Sequence, residues 1–145
     1  MFPDNKPYRD FADYLAAHFP YKVQKISVNA GFTCPNRDGS KDGVQFFSRK
    51  YPEMQYLAYF QSYTNTYDSL ESLTQKYDEA LAYPGVVGLI VGTRPDCMPE
   101  ELLDYFEALS KKTFVLIEYG VESTLNRTLE RVNRQHSYEE SAAMI

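Results

Sequence analysis

Val86-Val-Gly-Leu-Ile-Val91, followed by Gly92-Thr-Arg-Pro-Asp-Cys97, is the stretch whose reading decides the fold. The first six residues are almost continuously apolar, too short for a free-standing helix, and bounded by Pro84-Gly85 on one side and Gly92 on the other. A strand without alternation is buried on both faces, the signature of a parallel strand covered by helices.

The flanking segments agree with that reading. Upstream, Ser69 is an N-cap for a helix with Leu70, Leu73, Tyr77 and Leu81 on one face, stopped by Pro84 and Gly85. Downstream, Pro99 near the first helical position, with Glu100 and Glu101 in the first turn, opens a second helix that turns Leu102, Phe106 and Leu109 inward. Phe114 to Tyr119 is then a further strand. Gln55 to Gln61 is an earlier one, followed by the polar loop Ser62 to Asp68. Nearer the start, Phe11, Tyr14, Leu15 and His18 mark a short amphipathic helix ended by Pro20, and Val23 to Ala30 reads as the first strand. Beyond Ser123 the chain is helical over Leu125 to Val132, is interrupted at Gln135-His136-Ser137, and starts another helix at Tyr138.

Alternating strands and helices joined by short connections imply an α/β domain with a parallel sheet, either open and doubly wound or part of a barrel. Both architectures place functional residues in the loops after the carboxyl ends of strands. Four loops therefore carry the functional question: Gly31 to Lys41, Ser62 to Asp68, Gly92 to Met98 and Gly120 to Thr124.

Composition narrows the classes. The 145 residues are enough for one domain, with 43% hydrophobic and 24% charged residues and no apolar run long enough to span a membrane. The start of the chain lacks the apolar stretch of a secretory signal, so a cytoplasmic location is expected. A net charge of −5 argues against a generic polyanion binder. Thirteen Tyr and nine Phe at regular spacings point to core packing more than to a base-stacking platform. Two cysteines, Cys34 and Cys97, are too few and too far apart for a disulfide framework.

The four loops read Gly-Phe-Thr-Cys-Pro-Asn-Arg-Asp-Gly-Ser, Thr-Asn-Thr-Tyr, Gly-Thr-Arg-Pro-Asp-Cys and Glu-Tyr-Gly-Val-Glu-Ser, in that order and at strand ends. As an ordered set they resemble the YhcC-like bacterial family of radical S-adenosylmethionine (radical SAM) enzymes, related to the catalytic subunit of Elongator. The resemblance runs from about Tyr8 to His136 and covers the first part of a longer family domain. It implies a fold made of the first four β/α units of a partial (β/α)6, TIM-like barrel, and residues 1–145 would form a single, incomplete core domain of that type.

The resemblance also implies chemistry. Three thiolates would hold a 4Fe-4S cluster, leaving the fourth iron open to S-adenosylmethionine, whose reductive cleavage gives methionine and a 5′-deoxyadenosyl radical. Cys34 matches the first ligand. In the family the first loop continues into a Cys-x-x-Cys pair, whereas here Ser40 and Lys41 are followed directly by Asp42-Gly43-Val44. The segment expected to carry the other two ligands is missing near residues 41–42. Either an internal deletion or a recorded sequence that omits a loop left without its metal would produce that junction.

By the same resemblance, Thr93, Arg94, Glu118, Asn65 and Ser123 are the candidate cofactor-binding residues, with Glu122 assisting, while no catalytic residue is assigned. Each also has a plainer reading. Cys34 alone would be a small buried hydrophobe. Asn65 and Thr66 make turns and caps, and the Gly92 to Asp96 stretch is turn chemistry. Glu118 stands near the end of an apolar strand, where a carboxylate needs a partner, and a salt bridge to Arg94 or Lys25 would supply one. Cys97 reads as structural or loop-lining. Neither His18 nor His136 has a ligand partner at metal-binding spacing, and His136, near Arg131 and Arg134, is a candidate contact for an anionic substrate.

The implied partners are a tRNA or small-molecule substrate and a reductant such as flavodoxin or ferredoxin. Uridine modification of tRNA is the substrate class that the Elongator relation suggests. No membrane partner is expected, and an exposed sheet edge after the fourth strand would invite self-association. Two rival functions stay open. One is a catalytically inactive barrel fragment or binding module without a cluster, which the absent Cys-x-x-Cys favours. The other is a metal-independent enzyme using Glu118 and Glu122 as an acid/base pair, which requires their carboxylates to converge in one pocket.

Overall fold

The computed structural model describes residues 7–28 and 53–145. Cys34, the loop Gly31 to Lys41 and the junction at residues 41–42 lie outside the described residues. Among the described residues, no helix is long and apolar enough to cross a membrane.

Four strands form one sheet in the order β1-β2-β3-β4: β1 Val23–Ser27, β2 Gln55–Phe60, β3 Val86–Thr93 and β4 Phe114–Tyr119. Every neighbouring pair is parallel. The architecture is therefore α/β with a parallel sheet, as the unbroken apolar run of β3 implies. Leu89, Ile90 and Val91 are fully buried, and truncating one such side chain typically costs about 2–5 kcal/mol. The expected first strand runs from Val23 to Ala30; β1 spans Val23–Ser27, and Asn29 and Ala30 lie outside the described residues. The ladder continues one step through Val28, whose N–H donates to the Tyr59 carbonyl at 2.8 Å.

Register fixes two faces. Ile26, Ala58, Leu89 and Val115 align across the sheet, as do Phe60, Val91 and Ile117. On that face lie α2 (Leu70–Leu81) and α3 (Glu100–Ser110), which bury Leu73, Tyr77, Leu102 and Phe106 against it. The opposite face carries Ser27, Tyr59, Ile90 and Leu116 in one row and Gly92 beside Glu118 in the next. Here α1 (Phe11–His18) seats Leu15 against Leu57 and Ile90. His18 belongs to this packing: its ring lies 4.4 Å from Tyr14 and 5.7 Å from Phe114 between centroids.

Local chemistry sets the helix ends. Asp10 and Asp13 form a reciprocal capping box on α1, each side chain accepting from the other's N–H at 3.0 Å. Ser69 caps α2 as expected. Pro99 sits one place earlier than expected, as the N-cap of α3, where its missing N–H costs nothing. The last two helices are short: α4 spans Asn126–Arg131, inside the expected Leu125 to Val132, and α5 spans Tyr138–Ala143, opened by a Ser137–Glu140 capping box.

Among the described residues, α1 covers the lower part of this face and the upper part, at the carboxyl ends of the strands, stays open. Lys25, Tyr59, Gly92 and Glu118 lie there.

Candidate functional site

At the carboxyl ends of β2, β3 and β4 the open face forms a cleft of about 550 Å³. Gln61 and Tyr63 line it from the first loop, Gly92 to Arg94 from the second, Glu118 to Gly120 from the third, and Glu122 and Arg134 close it. The cleft lies where the topology places binding sites in parallel α/β sheets.

Glu118 is the central polar group on its floor. Its Oε2 accepts a hydrogen bond of 2.6 Å from the Tyr59 hydroxyl, and its Oε1 lies 3.9 Å from Lys25 Nζ. The ammonium also stands over the Tyr59 ring, 4.4 Å from its centroid, and 4.8 Å from that of Phe11. Burial, reinforced by the hydrogen bond to Glu118 and its negative charge, pushes the Tyr59 phenol up to about 12. Of the two salt-bridge partners proposed for Glu118, Lys25 is therefore the one in place. Arg94 is engaged elsewhere, with Nε and Nη2 on the two Asp96 oxygens at 2.9 and 2.6 Å.

Gly92 is the bare-backbone position between Tyr59 and Glu118. It lies on β3 between the strands that carry the two residues, and an added Cβ there would stand 3.3 Å from the Phe60 carbonyl oxygen, tight against the end of β2. At Gly120 the constraint is different: an added Cβ would stand 2.8 Å from Arg134 Nη2. That nitrogen donates to the Gly120 carbonyl at 2.7 Å and lies 3.5 Å from Glu122 Oε1. Arg134 Nε is buried and has no partner within the described residues.

Backbone strain gathers at this cleft. Tyr63, Glu122, Asn133 and Gln135 are the non-glycine residues with positive φ among the described residues. Two line the cleft, and the other two flank Arg134. Strained turns persist where the surroundings over-determine them, commonly at binding sites.

The sequence-derived candidates divide. Thr93, Arg94 and Glu118 line the cleft together. Thr93 does so with its hydroxyl turned to the buried Thr66 hydroxyl, which also donates to the Cys97 carbonyl. Asn65 lies beneath the cleft: its amide donates to the carbonyls of Phe60 and Gly92, both at 2.8 Å, tying the ends of β2 and β3. Ser123 accepts from the Leu125 N–H at 3.1 Å and is not part of the lining. Glu122, named as an assistant to Glu118, faces the same cleft. His136 is buried, with Nδ1 3.1 Å from the Ser141 hydroxyl, and borders a separate cavity of about 490 Å³.

Tyr59 and Arg134 are the site residues that sequence reasoning did not assign, whereas Lys25 was named as a partner for Glu118. Parity offered a signal for Tyr59, since it shares a strand face with Gln61 at the strand end. The strained turn that delivers Arg134 has no glycine to announce it.

An iron-sulfur cluster asks for more than these residues offer. The chain contains two cysteines. Cys97 sits in the single 3-10 turn Pro95–Cys97 and borders a different cavity, beside Thr66, Asp68 and Met98. Burial pushes its thiol up, and the Asp96 carboxylate adds to the shift. Among the described residues no three His, Cys, Asp or Glu side chains group as a metal site. The cluster does not fit the residues present.

No protein-family model matches the chain, and no solved structure matches it. It is 33% identical to the uncharacterized protein YtqA of Bacillus subtilis over 162 positions, which take in 92% of this chain and 50% of that one. It is 33% identical to the protein YhcC of Escherichia coli over 154 positions, 88% of this chain and 50% of the relative. The uncharacterized protein MJ0486 of Methanocaldococcus jannaschii is 30% identical over 163 positions, 94% and 51% of the respective chains. The chain thus spans about half the length of the curated relatives it matches.

Proposed function

We propose that the chain is the β1-to-β4 part of a radical SAM-type barrel and that its cleft binds S-adenosylmethionine. The observation that carries this reading is Glu118 at the carboxyl end of β4, facing an open cleft and held by Tyr59 and Lys25. A carboxylate fixed by a phenol and flanked by the bare backbone of Gly92 and Gly120 suits a ligand that brings hydroxyl and ammonium donors close to the main chain. Arg134, whose guanidinium lines the cleft beside Glu122, would meet the ligand's carboxylate. The likeness to YhcC, together with the ordered loop motifs, supports the family assignment.

This chain's residues bind and orient; the electron that would cleave the ligand is supplied by a cluster they do not hold. The reading therefore stops at binding for these 145 residues, with radical chemistry belonging to family members that carry the full ligand set. A tRNA substrate and a flavodoxin- or ferredoxin-type reductant follow from the resemblance alone, and a net charge of −5 gives no polyanion footprint.

The acid/base alternative gains one observation, because Glu118 and Glu122 border the same cleft. Each is engaged by a different cation, Lys25 or Arg134, and among the described residues no donor joins them. Binding is the reading that uses the whole arrangement.

A ligand that binds only the native chain raises its thermal midpoint, by an amount that grows with the logarithm of its concentration above Kd. S-adenosylmethionine is expected to do so, and methionine and adenosine to do so less at equal concentration. No shift with S-adenosylmethionine at saturating concentration would count against the proposal.

A further inference from the structure

We infer that this chain has lost, by internal deletion, residues that its relatives retain, and that in consequence it holds S-adenosylmethionine without assembling a cluster to reduce it. The second half of that statement rests on the reading of the cleft given above; the first half does not.

Three observations carry the inference. The matches to YtqA, YhcC and MJ0486 extend over 162, 154 and 163 positions, yet the chain has only 145 residues and none of the matches uses all of them. Each relative therefore has internal residues with no counterpart here. The family resemblance puts those missing residues at the Lys41–Asp42 junction, where the chain passes directly into Asp42-Gly43-Val44.

The second observation is chemical. A 4Fe-4S cluster is held by several thiolates, and the chain has two cysteines in all. One of them, Cys97, is committed to the turn after β3 with its thiol raised by burial. A single remaining cysteine cannot retain a cluster against solvent and exchange.

Third, the β3–β4 ladder runs without a register shift, and Glu118 keeps both its partners. The deletion has left the cleft's polar floor assembled. The chain pairs an intact ligand-binding wall with an absent redox centre, as expected of a binding module derived from an enzyme.

The test is anaerobic reconstitution of the purified chain with ferrous iron and sulfide, followed by desalting, iron analysis and absorbance in the iron-sulfur charge-transfer region. A Cys34→Ala/Cys97→Ala double variant, treated in parallel, reports adventitious iron. Iron no higher than in the double variant is the expected result. About four iron atoms per chain, with the charge-transfer band, both lost in the double variant, would overturn the inference. Retention of S-adenosylmethionine, measured on the same samples, judges the cleft separately: its loss with no iron bound would refute the proposed function while leaving the missing cluster established.

Discussion

The Tyr59 hydroxyl reaches across β3 to Glu118, two strands away, and donates a 2.6 Å hydrogen bond to its carboxylate. The contact couples the ends of β2 and β4 and leaves a measurable mark, because the phenol is raised from its usual 10.0 to about 12. The native state keeps this proton where an unfolded chain releases it. The associated stability is therefore complete below pH 10 and is lost as pH rises toward about 12. Removing the negative charge in Glu118→Gln is expected to bring the Tyr59 pKa part of the way back toward 10, since burial, the larger cause, remains. Ultraviolet difference titration against Tyr59→Phe isolates this phenol. An unchanged value in Glu118→Gln would show that the carboxylate has no hold on it.

Gly120 offers a milder probe. The Cβ of Gly120→Ala would meet the end of the Arg134 side chain at 2.8 Å, and a flexible side chain can move aside. We expect the Arg134 contacts to the Gly120 carbonyl and Glu122 to be lost, the fold to remain, and ligand binding to weaken by severalfold. A crystal structure of the variant with Arg134 undisplaced would contradict this account of why residue 120 is glycine.

Asn65 predicts a stability effect rather than a binding effect. Its buried amide satisfies two main-chain carbonyls, and Asn65→Ala strips both of their partner. The expected loss is about 1–3 kcal/mol, read as a lower urea midpoint at unchanged slope. A variant as stable as the parent would mean that water replaces the amide without cost.

Acid stability should depend on Asp68. Hydrogen bonds from the Ser72 hydroxyl, the Lys76 ammonium and the Ser69 N–H lower its carboxyl from 3.8 to about 2. Its contribution is present above 3.8 and disappears as pH falls through about 2. Asp68→Asn should therefore lower the thermal midpoint at pH 7 and match the parent near pH 2. Equal midpoints at both pH values would remove Asp68 from the account.

The legible parts of the fold were those where burial imposes a one-dimensional pattern. The unbroken apolar run of β3 announced a parallel strand, and the spacing of Leu73, Tyr77, Leu102 and Phe106 announced the helices that cover it. Part of the site was legible for the same reason: a carboxylate ending the apolar strand Phe114–Tyr119 had to find a partner, and Lys25 was one of two named. The identity of the stronger partner was hidden, because Tyr59 in an aromatic-rich strand looks like core until the register shows which face it takes. Asn65 was misleading in the opposite way, since its polar side chain in a loop after a strand is used entirely by the main chain. Arg134 was beyond sequence reading, as it depends on positive φ at Asn133 and Gln135, which no glycine marks.

Equilibrium dialysis of radiolabelled S-adenosylmethionine against the purified chain and its Glu118→Ala variant tests the central claim most directly. Lys111→Ala, which alters only an exposed helical ion pair with Glu107, serves as the control. The account predicts one ligand held per parent chain, the same for Lys111→Ala, and at least tenfold weaker retention by Glu118→Ala with its fold intact by circular dichroism. No retention by the parent chain, or equal retention by the parent and Glu118→Ala, would contradict it.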